Sequence, residues 1–137
     1  MGEYDIKLVV VDADSMSTYL LGKYVNHVGD ELSIKVEFIP FHNIDDAFNY
    51  LTKYVPNILF IDPTDPSNFT SSNKTGWDML DKLPDGIIPP CKAYIFTSYE
   101  YGHDYVRAET HDKITGCVLK PLDVDVLTKI IKDCQSV

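Results

Sequence analysis

Leu8-Val9-Val10-Val11-Asp12 is an unbroken apolar run closed by a carboxylate, and three of its four apolar positions are β-branched. A short run with no alternating polar residue suits a strand covered on both faces, as in a parallel sheet. The same design returns in Ile58-Leu59-Phe60-Ile61 closed by Asp62, in Ala93-Tyr94-Ile95-Phe96 closed by Thr97, and in Cys117-Val118-Leu119 closed by Lys120. Ile34-Lys35-Val36-Glu37-Phe38 alternates instead. That pattern predicts a half-wet strand at the edge of the sheet.

Helical spacing fills the gaps between the runs. Ser15 or Ser17 is expected to cap a helix carrying Leu20, Leu21, Tyr24, Val25 and Val28, with Gly29 as its stop. Asn43 or Asp45 caps a second, with Ala47, Phe48, Leu51 and Val55 turned inward and Pro56 ending it. A third runs from Gly76 to Leu83, a weakly patterned one from Asp104 to Lys113, and a last from Asp123, its cap, to Cys134 with Val126, Leu127, Ile130 and Ile131. Five alternations of strand and helix imply an α/β, doubly wound, five-stranded parallel sheet with helices on both faces. An edge second strand gives the order 2-1-3-4-5, the flavodoxin-like winding, in which ligands bind beyond the carboxyl ends of strands 1 and 3.

The 137 residues read as one domain, 1–137, whose only low-complexity stretch is the loop Pro63–Thr75. Apolar residues make up 45% and charged residues 24%, which excludes a disordered chain. No apolar run nears the ~18–20 residues of a membrane span, and the amino-terminal residues lack a signal peptide's pattern. A net charge of −9 disfavours nucleic acid as a direct partner. Cys91, Cys117 and Cys134, odd in number and widely spaced, read as reduced thiols of a cytoplasmic protein, so the sequons at Asn68 and Asn73 read as chance. His27, His42, His103 and His111 lack zinc-ligand spacing. No glycine-rich nucleotide loop follows any strand. Tyr99, Tyr101 and Tyr105 cluster after the fourth strand and form a first candidate for a docking face.

The residues that close the runs carry the chemistry. Asp12-Ala13-Asp14, Asp62, Thr97-Ser98 and Lys120-Pro121 should converge on one rim. Two carboxylates ~4 Å apart repel by about 4 kcal/mol at an effective dielectric near 20, so the cluster needs a cation. Hard oxygen ligands with room for water favour Mg²⁺. A lysine and a hydroxyl opposite them are what a phosphoryl group needs once part of its charge is taken up. The chemistry indicated is phosphoryl transfer onto a carboxylate.

With these residues in place, the chain from Lys7 to about Cys134 resembles the receiver domains of two-component response regulators. The resemblance rests on the four closed runs, Leu8–Asp12, Asn57–Asp62, Tyr94–Ser98 and Gly116–Pro121, with smaller echoes in Ala47, Pro56 and Gly76-Trp77-Asp78-Met79-Leu80. It implies that Asp62 accepts a phosphoryl group from a histidine kinase or a histidine phosphotransfer protein. It implies further that Asp12 and Asp62 hold Mg²⁺ with the backbone carbonyl of Thr64, that Thr97 contacts a phosphoryl oxygen, and that Lys120 pairs with the phosphate. Output would pass through protein contacts, and the chain itself would not be an enzyme.

Three positions depart from the family's pattern. Ala13 stands where a second acid is usual, leaving Asp14 or, in the inserted loop, Asp65 as the replacement ligand. Gly76 comes fourteen residues after Asp62, later than in the family. Cys117 occupies the place of the switch aromatic. These departures keep a second reading open, a degenerate receiver that binds a partner without being phosphorylated. A third reading takes Asp12-Ala13-Asp14 as the nucleophile motif of a haloacid-dehalogenase-like phosphatase; it leaves Asp62 without a role.

Overall fold

The computed structural model describes residues 3–63, 76–83, 86, 91–97 and 111–135. The strands are β1 (Ile6–Val11), β2 (Val36–Phe41), β3 (Ile58–Ile61), β4 (Lys92–Thr97) and β5 (Gly116–Leu119). The helices are α1 (Ser15–Leu32), α2 (Ile44–Leu51), α3 (Gly76–Lys82) and α4 (Val124–Gln135). All strand pairs are parallel and the order is β2-β1-β3-β4-β5, as the patterning requires. The expected helix over 104–113 lies outside the described residues except for its last three, which form a turn.

The two-residue period of the strands divides the core into two layers. Val9, Val11, Leu59, Ile61, Ala93 and Ile95 face α2 and α3, where they pack on Ala47, Leu51, Trp77 and Leu80. Leu8, Val10, Ile58, Phe60, Phe96 and Val118 face α1 and α4, against Leu21, Val25, Leu127 and Ile131. Burial on both faces explains why β1, β3 and β4 read as continuous apolar runs. β2 is half-buried along its length and holds Pro40, whose missing N–H is tolerated on an edge strand.

Five local expectations are corrected. Asp14, not Ser15 or Ser17, caps α1, accepting from the N–H groups of Met16 and Ser17. Gly29 does not stop that helix: it lies buried inside it, and the chain reverses at Ser33 (φ 56°). The N–H of Ile34 bonds the Gly29 carbonyl at 2.8 Å and that of Ser33 bonds Asp30 at 3.3 Å, the pairing of a Schellman end. Glycine is needed at 29 because a Cβ there would sit 2.8 Å from the Ile34 carbonyl oxygen.

The second strand accordingly starts at Val36 and extends to Phe41, because the N–H groups of Ser33 and Ile34 are still spent on the helix end and that of Lys35 on the Asp5 side chain. In α2, Asn43 is the cap and the helix ends at Leu51, leaving Val55 46% exposed rather than inward. Val55 precedes Pro56, and that position disfavours helical backbone. Val126 of α4 is likewise 44% exposed, while Leu127, Ile130 and Ile131 are buried.

Candidate functional site

The sheet register sets the site. Val11 is level with Ile61, and Ile61 with Ile95, so the next residues of β1 and β3 leave the sheet side by side. The N–H of Asp12 bonds the Phe41 carbonyl and that of Asp62 bonds the Val11 carbonyl, each at 2.9 Å. Thr97 ends β4, and its carbonyl accepts from the N–H of Lys120 at 2.8 Å. Asp12, Asp62 and Lys120 follow the parity of Val10, Phe60 and Val118, the layer that faces α1 and α4. Gly76 lets α3 start against this rim, since a Cβ there would lie 2.6 Å from Ile61 Cγ2 and 2.9 Å from Pro63 Cα.

Three of the four buried polar residues of the described chain are Asp12, Asp62 and Thr97, at 0%, 8% and 2% exposure. Lys120 Nζ donates to Asp62 Oδ2 at 2.7 Å, lies 2.5 Å from Asp12 Oδ2, and rests 5.0 Å above the centre of the Phe96 ring. A single ammonium therefore bridges two carboxylates delivered by different strands.

The electrostatics leave the bridge short of positive charge. Burial pushes the Asp12 carboxyl above the ordinary carboxylate range; Lys120 and the N–H of Asp14 pull it back without cancelling the rise, and Asp62 adds to it. For Lys120 burial opposes the charge, but Asp12 and Asp62 outweigh it and hold the ammonium above the usual lysine value. Asp12 Oδ1 accepts from the Asp14 N–H at 2.9 Å. Its buried Oδ2 faces the Lys120 ammonium. Two hard carboxylates that share a single ammonium are a donor set that fits a divalent cation keeping most of its waters.

Asp14 is exposed and engaged elsewhere. Its Oδ1 accepts from Met16 N at 3.0 Å and Ser17 N at 3.4 Å, and its Oδ2 from Ser17 Oγ at 3.3 Å. Its slight burial would raise its carboxyl, but these hydrogen bonds lower it below the usual value. Thr64, Asp65 and Ser98, and the tyrosine cluster Tyr99, Tyr101 and Tyr105, lie outside the described residues. Cys117 sits half-buried on β5.

The residue that sequence reasoning passed over is His42. Its Nδ1 lies 3.1 Å from the backbone carbonyl oxygen of Asp12. The available signal was position: once β2 ends at Phe41, the residue after it must lie beside Asp12. Beside the ammonium a cleft of about 190 Å³ opens between α1 and the segment after β5, lined by Met16, Leu20, Leu21, Phe96, Lys120 and Leu122. Met16 and Leu20 are exposed there.

No protein-family model matches the chain, and no curated protein matches it. Solved structures do. A two-component response regulator from Cytophaga hutchinsonii is similar with a TM-score of 0.79 at 18% identity, over 96% of this chain and 97% of that one. A response regulator receiver protein from Dyadobacter fermentans gives 0.74 at 17%, over 94% and 97%. The signal receiver domain of an HD domain-containing protein from Pseudomonas fluorescens gives 0.74 at 12%, over 99% and 90%. The fold is thus the flavodoxin-like fold of response-regulator receivers, along nearly the whole chain.

Proposed function

We propose that the chain is a phosphoacceptor receiver of a two-component or phosphorelay system, phosphorylated on Asp62 by a histidine kinase or a histidine phosphotransfer protein. The observation that carries this reading is the Lys120 ammonium bridging Asp12 and Asp62 at 2.5 and 2.7 Å beside buried Thr97. In the proposed step an Asp62 carboxylate oxygen attacks phosphorus, and the phosphorus–nitrogen bond to the donor imidazole breaks. The electron pair of that bond returns to the ring nitrogen, which takes up a proton. Lys120 then pairs with the phosphoryl oxygens, and the Thr97 hydroxyl donates to one of them.

Asp12, Asp62 and the Thr64 carbonyl would hold Mg²⁺, which supplies partial neutralisation of the phosphoryl charge. The capping role of Asp14 leaves Asp65 as the better candidate for a further ligand. The exposed Met16 and Leu20 beside the cleft supply an apolar surface for the donor protein to rest on. A cytoplasmic setting belongs to the same reading; among the described residues no helix is long and apolar enough to cross a membrane.

The test is incubation with acetyl phosphate, with and without Mg²⁺, and the intact mass of the wild type beside Asp62→Asn. A Mg²⁺-dependent phosphoryl adduct, lost in the variant, is expected. Absence of the adduct, with Trp77 fluorescence unmoved by Mg²⁺, would instead support the degenerate receiver, which Ala13 and the engaged Asp14 favour. The phosphatase reading gains nothing from the site, because the second acid of its motif, Asp14, is the cap of α1.

A further inference from the structure

The ladder between β1 and β2 ends with the Asp12 N–H on the Phe41 carbonyl. In a parallel pair, the Asp12 carbonyl would next accept from the N–H of residue 43. The chain turns away there, because Asn43 is already the cap of α2, with Oδ1 accepting from Asp46 N at 2.8 Å. The vacant rung is filled by a side chain, His42 Nδ1, 3.1 Å from the Asp12 carbonyl oxygen.

Asp12 is then held at three points: its N–H by Phe41, its Oδ1 by the Asp14 N–H, and its carbonyl by His42. Oδ2 alone is left to face Lys120 and Asp62. This grip matters more here than where two acids follow the strand, since Ala13 offers no carboxylate and Asp14 is spent on capping. Releasing the carbonyl would free the peptide plane after Asp12 to rotate, and the carboxylate would lose its fixed direction.

We propose that His42 is a positioning residue for Asp12, its imidazole completing the β1–β2 ladder so that the one β1 carboxylate at the rim stays aimed at the cation site. The link to cation binding rests on the receiver reading; the grip on Asp12 does not. A carbonyl only accepts, so Nδ1 must carry the proton, and in the neutral ring Nε2 is bare.

The experiment compares His42→Phe, which keeps a ring without a donor, with His42→Asn, whose amide nitrogen hangs from Cγ as Nδ1 does. Mg²⁺ affinity, read by titration calorimetry and by Trp77 fluorescence, should fall about 3- to 10-fold in His42→Phe, the worth of roughly one hydrogen bond, and recover in His42→Asn. Thermal melts run alongside. A lower melting temperature in His42→Phe with unchanged Mg²⁺ affinity would overturn the proposal, as would His42→Asn behaving like His42→Phe.

Two NMR readouts need no metal and no phosphorylation. At pH 8 the ¹⁵N shifts of His42 should show the Nδ1–H form, and the Nε2–H form would refute the contact. The ¹³C resonance of the Asp12 carboxyl should move in His42→Phe and return in His42→Asn. If the wild type takes neither Mg²⁺ nor a phosphoryl group while both NMR outcomes hold, the receiver reading fails and the positioning role stands.

Discussion

The two ends of β3 are built on opposite principles. Before the strand, Asn57 is exposed and ties its neighbours with neutral bonds. Its Oδ1 accepts from the Lys7 N–H at 2.8 Å, its N–H donates to the Lys7 carbonyl, and its own carbonyl accepts from Lys92 N. After the strand, Asp62 is buried beside Asp12 and both contact the Lys120 ammonium. The first end stabilises by neutral hydrogen bonds, and its charged side chains stay at the surface. The second concentrates charge in a place where removal of one partner exposes the cost of burying the others. Such concentration is expected of a chemical site and not of a structural joint.

The contrast is broken most severely by Lys120→Met. The variant should lose about 3–5 kcal/mol at pH 7 in denaturant unfolding, because two buried carboxylates lose the ammonium that faces them both. Its stability should rise on acidification as one carboxyl takes a proton, and adding Asp12→Asn should restore much of the loss. In the wild type at high pH the sign is the same, through a different group. The folded Lys120 binds its proton more tightly than the unfolded 10.5, so its contribution is complete below that value and is lost as pH rises through the folded value. Burial also pushes the Cys91 thiol up to about 12 against an ordinary 9.0, so the unfolded chain sheds that proton first. Melts in steps above pH 9 should therefore decline early, a decline reduced in Cys91→Ala, and then more steeply, a second phase missing in Lys120→Met.

Gly76→Ala tests the same end of β3 by shape alone. The added methyl meets Ile61 Cγ2 at 2.6 Å and Pro63 Cα at 2.9 Å, and a loss of about 1–3 kcal/mol is expected. Because α3 is then displaced from the rim, uptake of phosphoryl from acetyl phosphate should fall as well. At the quiet end, Asn57→Ala removes one side-chain acceptor, and about 1 kcal/mol should be lost with the acetyl phosphate reaction unchanged. A change in that reaction would show that the two ends are coupled through the strand.

Most of the frame was legible before any coordinates. The runs ending at Asp12, Asp62, Thr97 and Lys120 sit where the patterning put them, and the alternating second strand is at the edge. Misreadings gathered where two local signals competed. Gly29 carries the mark of a helix stop, yet its missing Cβ serves a close approach inside the helix while Ser33 makes the reversal. Val55 fits the period of α2, but the helix ends at Leu51, not at Pro56, before that period reaches it.

The layering follows from local patterning alone. Alternation of period two and period 3.6 is a property of neighbouring residues, and with short right-handed crossovers it leaves little choice of topology. The meeting of side chains far apart in the chain follows from how the packed elements end. Lys120 reaches Asp62 across 58 residues, and His42 reaches the Asp12 carbonyl across 30. Both contacts depend on the residue at which each strand leaves the sheet. That residue is set by register, by caps and by a single Cβ that will not fit, so the cost of a misplaced strand end is felt by the whole packed sheet and is not written in any one stretch of sequence.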